Sequence, residues 1–264
     1  MARNDQPNNF DLTDRISIIH ALDGAGMPLV SRCLGAMKDI VLLSRVHPSG
    51  ANGVNPLQQA QEWFGLISDD DLERLRKQEG WPYNEIIQMI LERAERAGKK
   101  LIVTDWSNPD FVADKPVSEL QGMLFHSAVL ETEFDVSPAA LIRHPIDQWI
   151  GLQNAEGASA PKMDIFLRGC ARFAANLDGV GIIRFEDFLS DPGTALQKLC
   201  DILDAPFDPD WENNWREYRT FTGEPAVQNP EGVEQLTFDD GLLSKFKADS
   251  NYAAAIQGLG YDGP

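Results

Sequence analysis

The segment Arg15-Ile16-Ser17-Ile18-Ile19-His20-Ala21-Leu22-Asp23-Gly24-Ala25-Gly26-Met27-Pro28-Leu29-Val30 decides the fold. Its first seven residues are a β-rich run of strand length, and Asp23-Gly24-Ala25-Gly26 is a Gly-rich turn. Beyond the turn, Leu29, Val30, Cys33, Leu34 and Met37 recur at helical spacing. Pro28 sits comfortably in the first turn of that helix, where its missing N–H has no intrahelical partner to lose. Strand, tight turn and helix in this order open a parallel βαβ arrangement.

The alternation continues downstream. Further strands are expected at Asp39–Ser44, Lys100–Thr104, Ala139–Ile142 and Val180–Phe185. Helical patterns occupy 58–66, 70–78, 83–97, 147–155, 163–177 and 193–204, and a last one ends near Tyr252–Leu259. Ser68 before Asp69-Asp70-Asp71 marks a helix start. Apolar strands alternating with helices predict an α/β fold, a parallel sheet of four to five strands flanked by helices. Residues 1–14 read as a flexible leader with little to bury, and 15–264 as a single domain. In such folds ligands sit at the carboxyl ends of the strands. The stretches to watch are therefore Asp23–Pro28, Arg45–His47, Asp105–Ser107, Arg143–Asp147 and Arg184–Asp187.

Composition narrows the function. The 264 residues include 23 basic and 41 acidic side chains, a net charge of −18. Most of that surface repels phosphate backbones, which excludes general nucleic-acid binding and a polybasic membrane patch. An anionic ligand would need a few cations gathered into one pocket. The apolar runs are too short for a transmembrane helix, and the polar N-terminus has no signal-peptide core. Three widely spaced cysteines, Cys33, Cys170 and Cys200, have no metal-ligand or CxxC spacing. They read as buried small hydrophobes in a reducing, cytoplasmic setting. No HExxH, GxSxG or complete GxxxxGK[ST] occurs, so zinc-protease, α/β-hydrolase and nucleotide-kinase readings lack support and no metal is expected.

Two later stretches carry a resemblance. One is Leu141-Ile142-Arg143-His144-Pro145-Ile146-Asp147-Gln148-Trp149; the other is Ile183-Arg184-Phe185-Glu186-Asp187-Phe188-Leu189-Ser190-Asp191-Pro192, followed by Pro206-Phe207. With Val103-Thr104-Asp105-Trp106-Ser107, the closing Leu259-Gly260-Tyr261 and the N-terminal strand–turn–helix, the chain resembles the sulfotransferase family over residues 15–261. That resemblance implies a P-loop sulfotransferase-like fold. It implies transfer of a sulfuryl group from 3′-phosphoadenosine 5′-phosphosulfate (PAPS) to a hydroxyl or amine of a small-molecule or carbohydrate acceptor. It places the 5′-phosphosulfate at Gly24, Ala25, Gly26, Met27, Pro28 and Leu29. It places the 3′-phosphate at Arg143 and Gly151, and the adenine near Phe185.

The chain departs from the family pattern at most of these positions. Gly24 stands where the family loop carries Lys or Arg, and Ala25, Met27 and Pro28 replace hydroxyl residues. Asp23 adds a negative charge beside the cradle, Gly151 replaces a serine, and Phe185 a tyrosine. Losing a loop cation and two hydroxyl contacts removes about 4–6 kcal/mol of donor binding unless Arg32, Arg45 or Arg184 supplies replacements. His47 is the candidate general base. The alternatives stay open at this stage: a turn that binds nothing, an Arg143 ion-paired to Asp147, structural Glu186 and Asp187, a core His20, and packing roles for Trp106, Trp149, Trp211 and Trp215. Two functions follow, a sulfotransferase or a non-catalytic homologue that has lost donor binding and acts as a scaffold. The sequence does not reveal the oligomeric state.

Overall fold

Strands β1 (Arg15–His20), β2 (Ile40–Val46), β3 (Lys100–Asp105), β4 (Asp135–Ile142) and β5 (Gly181–Arg184) form one all-parallel sheet in the order β2-β3-β1-β4-β5. The computed structural model describes residues 14–50, 52–76, 82–112, 122–154, 161–223 and 240–262. The helices are α1 (Met27–Gly35), α2 (Pro56–Glu62), α3 (Asp69–Arg76), α4 (Tyr83–Arg96), α5 (Asn108–Phe111), α6 (Phe125–Leu130), α7 (Pro145–Asn154), α8 (Met163–Ala174), α9 (Phe185–Ser190), α10 (Pro192–Ile202), α11 (Trp211–Asn214), α12 (Asp240–Lys247) and α13 (Ser250–Leu259).

The sheet is apolar on both faces. On one face Ile19, Leu42, Ile102, Leu141 and Ile183 pack with α1, α9 and α10. On the other, Ile16, Ile18, Val41, Leu43, Leu101 and Val103 pack with α2 and α4, and Ala140 and Ile142 with α8 and α13. Alternate residues of each strand thus enter opposite cores, as the period-2 geometry of a strand requires. This explains why the strand segments read as nearly continuous hydrophobic runs. The three cysteines are free thiols inside these cores. Burial pushes the thiols of Cys33 and Cys200 up to about 12, so both stay protonated and inert at neutral pH.

Several boundaries differ from expectation. β4 begins four residues early, because Asp135–Pro138 pair in register with Arg15–Ile18 and Arg15 Nε donates to Asp135 Oδ2 at 3.0 Å. β2 runs on to Val46 through an irregular register between Leu43 and Val46. β5 ends at Arg184, and Phe185 already begins α9. Of the expected leader only Asp14 is described; its carbonyl accepts from Asp135 N at 3.0 Å, and residues 1–13 lie outside the described set. The helix start at Ser68 has the reciprocal form of a capping box. Asp71 N donates to Ser68 Oγ (3.2 Å) and Ser68 N to Asp71 Oδ2 (3.0 Å). Among the described residues no helix is long and apolar enough to cross a membrane.

The chain leaves β1 outward to β2, returns to β3 beside β1, and then crosses to β4 on the other side. The carboxyl end of β1 is therefore where the strand order reverses, the place where open parallel sheets hold ligands.

Candidate functional site

The turn after β1 is built to expose backbone rather than side chains. Ala25, Met27 and Leu29 point into the core, whereas Gly24, Gly26 and Pro28 are only partly covered. Gly24 (φ 84°) and Gly26 (φ 96°) occupy the left-handed region that a Cβ disfavours. A Cβ on Gly24 would lie 2.9 Å from Leu152 Cγ, and one on Gly26 would lie 2.2 Å from the Phe185 ring. Ala25 N donates to Leu22 O at 3.2 Å, closing the turn. The N–H groups of Gly24, Gly26 and Met27 have no hydrogen-bond partner among the described residues. They lie at the N-terminus of α1, the positive end of its dipole.

Arg143, at the end of β4, meets this turn. It is 8% exposed, its Nη1 donates to Gly24 O at 3.2 Å, and its guanidinium lies 5.2 Å from the Phe185 ring centroid. An ion pair with Asp147 is a correction: no carboxylate lies within 4 Å of Arg143 among the described residues. Burial pulls the guanidinium below its usual pKa, while the fields of Asp147 and Glu186 act in the opposite sense. A Cβ on Gly151 would lie 3.4 Å from Arg143 Nη1 and touch nothing else within 4 Å among the described residues, which leaves space beside the cation. Phe185 is 1% exposed and stacks on Phe188 at 5.9 Å. It forms the floor under Gly26 and Arg143 instead of presenting a free ring face.

The other candidate cations separate. Arg32 turns away: Nε donates to Tyr218 O at 3.2 Å, Nη2 donates to Arg216 O, and Trp215 lies 5.2 Å from its guanidinium. Arg184 donates to Gly260 O and lies 4.8 Å from the Tyr261 ring. Both are structural clasps for the C-terminal third. Arg45 instead returns to the turn, with Nη2 2.9 Å from Asp23 Oδ1 and the guanidinium 5.5 Å from the Trp106 ring. Glu186 accepts from His144 N and Tyr261 Oη, both at 2.8 Å, which bears out its structural reading. Trp211 and Trp215 are buried in the α1 core.

A second constellation lies on the opposite side of β1. Asp105, at the end of β3, is fully buried and has three donors. His20 Nδ1 lies at 3.0 Å, His126 Nδ1 at 2.9 Å and Ser107 Oγ at 2.6 Å. Beyond them Ser127 Oγ lies 2.7 Å from His20 Nε2, and Tyr83 Oη 2.8 Å from His126 Nε2. Burial alone would raise the Asp105 pKa, but the hydrogen bonds from His126 and His20 hold it far below the ordinary carboxylate value. Burial pushes His126 down, so it is neutral at pH 7. The neutral His126 ring then donates from Nδ1 to Asp105 and accepts from Tyr83 Oη at Nε2. The expected core role of His20 is therefore observed. The other network members Tyr83, Ser127 and His126 gave no signal in the sequence, because they come from α4 and α6, far away along the chain.

His47 borders this cluster. Its side chain is 1% exposed, Nε2 lies 3.4 Å from Asp110, and Nδ1 lies 2.7 Å from Ser49 Oγ, an exposed residue. Burial lowers the His47 pKa, but Asp110 and Asp105 outweigh it and the net shift is upward. Burial raises Asp110. Among the described residues no group of three or more His, Cys, Asp and Glu is arranged to hold a metal.

The fold is sulfotransferase-like α/β, with a glycine turn after the first strand and a buried arginine after the fourth. A solved structure described as the sulfotransferase domain from the curacin biosynthetic pathway is similar over 95% of this chain and 99% of that one. Its TM-score is 0.63 at 17% identity. The sulfotransferase domain from the Synechococcus PCC 7002 olefin synthase is similar over 95% and 96% of the two chains, with TM-score 0.61 and 16% identity. No family profile and no curated protein sequence matches the chain.

Proposed function

We propose that the protein is a sulfotransferase that moves a sulfuryl group from PAPS to a hydroxyl or amine on a small-molecule or carbohydrate acceptor. The observation that carries this reading is the convergence at the carboxyl ends of β1 and β4. There, among the described residues, the N–H groups of Gly24, Gly26 and Met27 lack partners, and Arg143 has a single carbonyl acceptor and open space toward Gly151. Unpartnered amides at a helix N-terminus and a cation without a carboxylate suit a ligand with two anionic ends.

When bound, the donor supplies the activated sulfuryl group. The 24–28 turn would hold its 5′ end through backbone N–H groups, and Arg143 would hold the 3′-phosphate. The dry floor of Phe185 strengthens both interactions. His47, backed by Asp110, would take the acceptor's proton, with Ser49 Oγ linking its Nδ1 to the surface. The scaffold reading draws on a different observation, the Asp23 carboxylate already engaged with Arg45 at the turn.

Calorimetric titration with adenosine 3′,5′-bisphosphate separates the two. Micromolar binding that Arg143→Met weakens at least tenfold, with transfer of labelled sulfate from PAPS to an acceptor panel, supports the enzyme. No heat up to about millimolar removes donor-dependent catalysis and leaves the scaffold.

A further inference from the structure

The turn cannot carry a cation of its own. Gly24 has φ 84°, and a Cβ there would meet Leu152 Cγ at 2.9 Å and Gln148 O at 3.0 Å. Any side chain at this position collides with α7, so the missing loop charge is enforced by packing. The turn is also fixed from outside. Asp23 N donates to Asn108 Oδ1 at 2.7 Å, and Gln148 Nε2 donates to Asp23 O at 2.7 Å.

A cation arrives from another strand. Arg45 adopts φ 54° in the last residues of β2, a region that residues with a Cβ rarely occupy. Both of its backbone groups are held there: its N–H donates to Thr104 Oγ1 at 2.9 Å, and its carbonyl accepts from Asn52 Nδ2. The register break between Leu43 and Val46 and this backbone conformation deliver the side chain over the sheet end toward the turn. There the guanidinium lies over Trp106, whose Nε1 donates to Asp23 Oδ2 at 3.0 Å, and Arg45 Nη2 pairs with Asp23 Oδ1. Its Nη1 faces Gly223. A Cβ on Gly223 would touch both Pro28 Cγ (3.3 Å) and Arg45 Nη1 (3.6 Å), so Gly223 separates the cation from the first turn of α1. Apart from the Asp23 pair, the guanidinium has no hydrogen-bond partner among the described residues. Its side chain is 26% exposed, so it is reachable from solvent.

We propose that Arg45, positioned by Asp23 and Trp106, is the cation that receives the 5′ anionic end of the nucleotide, and that Asp23 competes with that anion for it. This rests on the donor-binding reading above and adds the residue, the strand it comes from and a built-in restraint. A planar guanidinium has donors to spare for an oxyanion while one of them remains on Asp23. Because the charge is borrowed from β2, donor affinity is set by how tightly Asp23 keeps Arg45.

The test is a set of calorimetric titrations with adenosine 3′,5′-bisphosphate and adenosine 3′-monophosphate. The proteins are the unaltered chain, Arg45→Met, Arg45→Lys and Asp23→Asn, each checked by thermal melting. Arg45→Met should weaken the bisphosphate at least tenfold and leave the 3′-monophosphate within twofold. Arg45→Lys should recover part of the loss, and Asp23→Asn should tighten the bisphosphate severalfold. If the unaltered chain binds the bisphosphate and Arg45→Met matches it within twofold, the proposal fails while the donor-binding reading stands. If neither the unaltered chain nor Asp23→Asn binds either nucleotide up to about millimolar, the donor-binding reading itself fails, and this inference with it. Should Arg45→Met not fold, Asp23→Asn decides alone, and an affinity unchanged or weakened relative to the parent overturns the proposal.

Discussion

The two sides of β1 hold polar groups in opposite ways. Toward β3, Asp105, His20, His126, Ser107, Ser127 and Tyr83 satisfy one another in a closed, buried network. Toward β4, among the described residues, three turn amides lack partners, and Arg143 has one carbonyl and no carboxylate. Arg143 is buried like the network, whereas Gly24 and Gly26 of the turn are only partly covered. A closed network has spent its hydrogen-bonding capacity on the fold, whereas an open one keeps it for a ligand. The first side should therefore matter for stability and the second for binding.

The largest effect is expected at the closed side. Asp105→Ala leaves three buried donors without an acceptor and should destabilise the protein by about 3–5 kcal/mol, read from urea denaturation. A loss below about 1 kcal/mol would mean that the network is not what locks β1 to β3. Next, Gly26→Ala forces a Cβ into the Phe185 ring at a positive φ. It should cost about 2–4 kcal/mol, and Phe185→Leu in the same chain should recover part of that loss. Strictly additive losses would show that the contact between turn and floor is not the cause.

Acid should act on both sides, through His126 in the network and His144 next to Arg143. Burial lowers the pKa of His126 and of His144, so the unfolded chain binds their protons first. The stability gained by keeping them neutral is fully present above about pH 6.5 and is lost as pH falls from there toward their folded values. His47 has the opposite sign. Its raised pKa adds stability below about pH 6.5 that disappears as pH rises through the folded value. Asp110 and Asp147, whose pKa values burial raises, act in the same sense as His47, so the test is differential: between pH 7 and pH 5 the urea midpoint of His126→Gln should fall less, or rise more, than that of the unaltered chain. The same pH dependence in His126→Gln and in the unaltered chain would contradict the neutral assignment of His126. The smallest effect is a gain at the open side. Gly151→Ser places a hydroxyl beside Arg143 Nη1 in free space. It should tighten adenosine 3′,5′-bisphosphate about fivefold, the equivalent of ~1 kcal/mol, with little change in melting temperature.

The fold was legible where local pattern and tertiary role coincide. Ile16-Ser17-Ile18-Ile19 is central on both faces of the sheet and reads as a strand without ambiguity. Asp135–Pro138 escaped notice because a polar and proline-containing stretch joins the sheet only through its register with β1. At the site, Gly24, Gly26, Arg143, Gly151 and Phe185 were nameable from motif order, and the structure gathers them at one sheet end. The convergence of Arg45 on Asp23 was only one option among three arginines. What chose it was a backbone conformation at φ 54°, which no residue spacing encodes. The Asp105 network was hidden for a similar reason. Its ring and hydroxyl partners are contributed by α4, α6 and β1, and only the packed fold brings them within 3 Å.

The most direct measurement is amide hydrogen exchange with and without saturating adenosine 3′,5′-bisphosphate. The account predicts new protection in peptides covering residues 22–30 and 143–151, with no change over 100–112, where the network is already closed. Binding that protects 100–112 and leaves the turn untouched would place the ligand on the wrong side of β1 and contradict it.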